Sequence, residues 1–136
     1  MAKDTHSFTA DDFYVHLGKL FYAVAAADKV VRDQEVETLK KTVEKQWLKI
    51  DDFKDEFGTD AAYQIEIIFD WLEENEPEPG TAFSEFEEYY KEHPSLFTPQ
   101  VKQLVWKTAD SIAASFAGKN KSEVILLSKL KSLLKQ

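Results

Sequence analysis

Residues Leu17–Leu39 read LGKLFYAVAAADKVVRDQEVETL, and this stretch decides the fold. Leu20 to Ala27 is almost wholly apolar, with small residues at Ala23, Ala25, Ala26 and Ala27. The run breaks at Asp28-Lys29 and restarts at Asp33 as an amphipathic pattern. A helix that turns apolar on every side belongs at the centre of a bundle. The alanines allow neighbouring helices to approach closely. The pattern predicts a buried helix, a loop over Asp28–Arg32 and a second helix over about 33–48 carrying Val36, Leu39, Val43 and Trp47. Val24 and Leu39 are expected in the core.

Outward from this hairpin the remaining segments also read as helices. Thr9-Ala10-Asp11-Asp12 predicts a helix start after Thr9, with a hydroxyl cap and carboxylates at the positive end of the dipole. Residues 1–8 are expected to be flexible. One short turn is expected within 49–58. Thr59-Asp60 caps a third helix over about 60–75, with Ile65, Ile68, Phe69 and Leu72 on one stripe and Trp71 beside it. Glu76-Pro77-Glu78-Pro79-Gly80 is the strongest breaker and reads as a stiff linker inside one domain. A fourth helix over about 82–93 carries Phe83, Phe86, Tyr89 and Tyr90 and ends at His93-Pro94. Thr98-Pro99 starts a fifth helix that runs to about Ala117, before Gly118. The sixth, about 122–135, shows Val124, Leu127, Leu130 and Leu134. No segment alternates with a period of two. The expectation is an all-α, single-domain bundle of about six helices spanning residues 1–136.

The two ends of the chain resemble each other. Glu35-Val36 with Leu39, and Glu123-Val124 with Leu127, both read Glu-Val-x-x-Leu after an alanine-rich helix end and a lysine-containing loop. Self-similarity of this kind points to repeated architecture. Here it suggests two hairpins related by a pseudo-two-fold axis, flanking the middle helices. Ala27-Asp28-Lys29-Val30-Val31-Arg32-Asp33-Gln34-Glu35 resembles the Ala-Asp-Gly-x-Val-x-x-x-Glu signature of TerB-like proteins. That family includes a bacterial tellurite-resistance protein and the N-terminal domain of a membrane-anchored DnaJ-like co-chaperone. The resemblance implies an all-helical domain with two such hairpins, a link to tellurite or general stress response, and partners that are often membrane-associated. Three positions depart from the signature. Lys29 replaces the loop glycine, so a different loop backbone is expected. Arg32 stands where a small capping residue is usual, and Ala117 replaces the second hairpin's aspartate.

Composition bounds the remaining possibilities. The 136 residues are 43% hydrophobic and 13% aromatic, enough for a sizeable core, and include no cysteine. That excludes disulfides and thiolate metal sites, and a reducing, cytoplasmic setting is expected. No run of about 20 apolar residues is present for a membrane span. The net charge of −8 is unevenly placed: residues 1–50 balance, residues 51–93 hold −13 and residues 94–136 hold +5. An acidic middle repels phosphates, so no nucleic-acid partner is expected. A helix-turn-helix reader would need a basic recognition helix, and the sixth helix commits much of its surface to packing.

No catalytic constellation appears. No serine sits in a nucleophile elbow, and the four glycines are scattered singly. His6, His16 and His93 lack the spacing of a transition-metal site. The primary reading is a non-enzymatic interaction module. Its candidate partner surface is Phe86 framed by Glu85, Glu87 and Glu88, suited to a basic, partly apolar protein. The alternative is a divalent-cation sensor in which Asp28 and Glu35 hold calcium or magnesium, with Asp33, Gln34 and loop carbonyls adding oxygens. The loop is not an EF-hand, because Val30 and Arg32 fall where that motif needs oxygen ligands. Against the cation stands a structural use of the same residues, with Asp28 binding loop amides and Glu35 supporting the helix start.

Overall fold

A computed structural model describes residues 10–47, 63–115 and 120–135. Six helices follow in order: α1 (Ala10–Ala25), α2 (Asp33–Lys45), α3 (Tyr63–Asn75), α4 (Pro79–Glu92), α5 (Pro99–Ala114) and α6 (Lys121–Leu134). A 3-10 turn, Pro94–Leu96, joins α4 to α5. The described residues contain no strand. The protein is an all-α helical bundle. The expectations for residues 1–8, for a turn within 49–58 and for a stop at Gly118 fall outside the described residues.

α1 is the central helix, packing on α3, α4, α5 and α6 as well as on its hairpin partner α2. Its continuous apolar run explains the position: Leu20 through Ala26 are all buried, as are Phe13, Tyr14 and Leu17. α3 comes close to α1 at Gly18, where a Cβ would meet Ile68 Cγ2 at 2.9 Å and the carbonyl oxygen of Ile65 at 3.2 Å. Only a residue without a side chain lets α3 lie this near α1. Val24 and Leu39 are fully buried, as expected. The end of α2 is pinned to α5, where the Trp47 indole N–H donates to Thr108 Oγ1 at 3.1 Å. The Thr108 hydroxyl in turn donates to the Leu104 carbonyl at 2.8 Å. This chain satisfies a buried polar pair that would otherwise cost stability.

Three expectations need correction. The linker is shorter than its five breaker residues suggest, because α4 begins at Pro79 with Glu78 as N-cap. Proline at the first helical position loses no hydrogen bond, so Pro79 starts the helix instead of delaying it. On α6 the buried stripe is Glu123, Leu127, Leu130 and Leu133, while Val124 is exposed and Leu134 half-buried. The loop after α1 keeps the glycine-like backbone despite its lysine: Lys29 has φ 69°, in the left-handed region. Glu76, following α3, has φ 50°, and its N–H bonds the Leu72 carbonyl at 2.8 Å, a left-handed helix cap built without glycine.

Candidate functional site

The loops of the two hairpins meet at a cluster of Asp28, Arg32, Glu35, Asn120 and Glu123. Helix starts leave backbone N–H groups unpaired, and each hairpin answers with a glutamate at the third helical position. In α6 the solution is a full capping box: Asn120 Oδ1 accepts from the Glu123 N–H at 2.8 Å, and Glu123 Oε1 accepts from the Asn120 N–H at 3.0 Å. In α2 the box is half built. Glu35 Oε1 accepts from the Arg32 N–H at 2.8 Å, but a guanidinium has no acceptor to return the bond.

Asp28 ties the two N-caps together. Its Oδ2 accepts from Arg32 Nη2 at 2.9 Å and from Asn120 Nδ2 at 2.7 Å, while Oδ1 accepts from the Val30 N–H at 3.1 Å. Burial disfavours its charge, yet the bonds from Arg32 and Val30 outweigh burial and hold the Asp28 pKa below its ordinary value.

Glu35 and Glu123, only 1% and 2% exposed, lie near enough that Glu123 acts on the Glu35 carboxyl. Two ionised carboxylates do not share such a site, so the pair keeps a proton. Burial, chiefly, together with the neighbouring Glu123, pushes the Glu35 carboxyl up to about 8 against the opposing Arg32 N–H. The bond across the two hairpins is the one from Asn120 Nδ2 to Asp28.

The structure brings Asp28 and Glu35 to one junction, each with hydrogen-bond partners of its own. Asp33 and Gln34 point to solvent. Among the described residues, no group of three or more His, Asp or Glu side chains is arranged to hold a metal ion. Sequence reasoning missed Asn120 as a partner of Asp28. Its signal was the register of the repeat, which aligns Glu123 with Glu35 and therefore Asn120 with Arg32. The histidines also do more than their spacing suggests. The His16 and His93 rings stack on Tyr89 at centroid distances of 4.0 and 4.4 Å. Two rings stacked so closely on one ring must occupy its opposite faces, so their nitrogens do not converge on one ion. His16 Nδ1 donates to the Asp12 carbonyl at 2.7 Å, and burial lowers its pKa.

The surface expected on α4 is rearranged. Phe86 is fully buried, and Phe83, Tyr89 and Tyr90 join it in the core. Glu85 and Glu88 are exposed and Glu87 is half-buried on the other side of the helix. Glu85 pairs with Lys19 at 3.1 Å and Glu87 with Lys91 at 3.2 Å. A partner reaching these acids would not touch Phe86. The exposed large apolar residues of the acidic middle lie instead on α3. Tyr63, Ile67 and Trp71 stand one turn apart along its outer side, with Ile67 55% and Trp71 59% exposed. Residues spaced by four share one helix face. Exposed Asp70 and Glu74 lie on that face too.

No protein-family model matches the chain, and neither the curated proteins nor the solved structures contain a match to it. Among the described residues no helix is long and apolar enough to cross a membrane.

Proposed function

We infer that the chain is a non-enzymatic interaction module that receives a basic, partly apolar helix of a protein partner on the outer face of α3. The observation that carries this reading is the line of Tyr63, Ile67 and Trp71, exposed beside Asp70 and Glu74. Large apolar residues aligned on a solvent face beside acidic side chains suit helix-in-groove and helix-on-helix recognition, and here Glu74 stands beside an Asp70 that also pairs with Lys40 at 3.6 Å. The −13 carried by residues 51–93 would speed the approach of a basic partner. The Ala27–Glu35 signature and its echo at Glu123 support a TerB-like role in tellurite or general stress response, with a cytoplasmic setting and the membrane-associated partners that the resemblance implies. The test is the affinity for a basic amphipathic helical peptide. Trp71→Ala and Ile67→Ala should each weaken it about tenfold or more, as truncation of a central anchor does. Unchanged affinity in both variants would refute the assignment to α3.

A second reading rests on the junction. Glu35 and Glu123 lie near each other, and a calcium or magnesium ion in place of the proton the pair keeps would make the protein a divalent-cation sensor. Asp28 joins such a site only by giving up Arg32 and Asn120. Millimolar cation at mildly alkaline pH should then raise the melting temperature of the native chain and leave that of Glu35→Gln unchanged.

A further inference from the structure

We propose that the partner that fits the α3 face is a second copy of this chain, which docks it into the groove between its own α5 and α6. The proposal rests on the α3 reading above and names the occupant of that surface. The groove, of about 740 Å³, is lined by Gln103, Trp106 and Leu134 with Lys102, Lys131 and Lys135 at its edges. No carboxylate lines it among the described residues. Lys131 Nζ lies 5.9 Å from the centroid of the Trp106 ring, so the indole is held beneath a cation. Val124, exposed and two helical turns before Lys131, extends the same side of α6.

The two surfaces are complementary in both chemistry and charge. α3 offers an apolar ridge, Ile67 and Trp71, beside Asp70 and Glu74, whereas the groove offers an apolar floor ringed by lysines. The groove is shallow and open to solvent, a shape that meets a projecting helix face and does not enclose a ligand. The same polarity runs through the whole chain, with −13 over residues 51–93 and +5 over residues 94–136. α3 does not form a packing interface with α6 in the bundle, since α3 lies on α1 and α2 while α6 lies on α5 and α1. Both surfaces therefore remain available at once. Pairing α3 with α3 would instead set Asp70 and Glu74 of two copies against each other. A contact between two different surfaces is heterologous: copies join head to tail into a ring or an open chain. The net charge of −8 repels copies at long range, but about 0.1 M salt screens that repulsion beyond about 10 Å and leaves the local lysine–carboxylate pairing.

Sedimentation velocity over a concentration series is the test, using the native chain, a ridge variant (Ile67→Asp with Trp71→Asp) and a groove variant (Lys131→Glu with Lys135→Glu). All four substituted side chains are exposed, and circular dichroism checks each fold. The native chain should associate as concentration rises and dissociate at high salt. Each variant alone should associate at least about tenfold more weakly. An equimolar mixture should form a dimer and nothing larger, because only one intact ridge and one intact groove remain to pair. A misfolded variant could not restore that dimer. A native chain that stays monomeric throughout, loss of association in the ridge variant alone, or a mixture that fails to dimerise would each overturn the proposal. Binding of a basic amphipathic peptide to the groove variant separates the two claims. If that variant binds the peptide while the native chain stays monomeric, the α3 surface stands and the second copy is rejected.

Discussion

Replacing Glu35 with glutamine should make the protein more stable, by an amount that grows with pH. The residue is 1% exposed, and burial together with the neighbouring Glu123 holds its carboxyl up to about 8, against 4.5 for an unperturbed glutamate. Between those values the folded chain binds a proton that the unfolded chain has released, so stability falls as pH rises. Each pH unit in that window corresponds to about 1.4 kcal/mol for one group. At neutral pH, retaining the proton costs up to about 3 kcal/mol, and above the folded value the cost levels off at up to about 5 kcal/mol. Glutamine supplies an acceptor for the Arg32 N–H without titrating. Urea unfolding of both chains across mildly acidic to mildly alkaline pH should give a stability difference near zero at the acid end, widening toward the alkaline end. Taking the difference cancels other carboxylates, including Asp28, whose lowered pKa works in the opposite direction and whose contribution is lost as pH falls through its folded value. Parallel curves would refute the raised pKa of Glu35.

Other substitutions probe the fold around that junction. Gly18→Ala should destabilise by about 1–3 kcal/mol in chemical denaturation despite alanine's better helix propensity, because the added methyl meets Ile68 at 2.9 Å. Leu39→Ala should cost about 2–5 kcal/mol, and a loss below about 1 kcal/mol would mean that α2 is not packed on the core. Lys29→Val should lower stability by about 1–2 kcal/mol, since a β-branched side chain at φ 69° is strained while the exposed Lys29–Glu78 ion pair contributes little. Asn120→Ala should cost about 1–2 kcal/mol by removing the N-cap acceptor of α6, and its thermal melt should show the loss even where Glu35 is glutamine.

Much of the fold was legible because helical periodicity and caps are local signals. Thr98 accepts from the Val101 N–H at 3.2 Å and Pro99 opens α5, both readable from two adjacent letters. The all-round apolar run of α1 marked the central helix for the same reason. The junction was only half legible. Asp28 and Glu35 lie within one stretch, but their partners Asn120 and Glu123 come from the far end of the chain, and only the repeat linked them. Lys29 shows the limit of reading backbone from residue type: local bonds, from its own N–H to the Ala26 carbonyl at 2.7 Å and from the Val30 N–H to Asp28 at 3.1 Å, hold a lysine where a glycine would be expected.

The burial of the α4 aromatics has its own physical cause. On α4, four aromatic residues and three glutamates share a short helix, and sequence alone does not say which side meets the core. Phe83, Phe86, Tyr89 and Tyr90 recur at intervals of three, three and one, an apolar stripe wide enough to bury. Phe97 closes over that stripe, its ring 5.8 Å from Phe86 and 4.8 Å from Tyr90. α3 divides differently. Ile65, Phe69 and Leu72 already fill its inner side, so Ile67 and Trp71 are surplus to the core and fall outward. Apolar residues in excess of what a helix can bury are the reason the partner surface is proposed on α3 and not on α4.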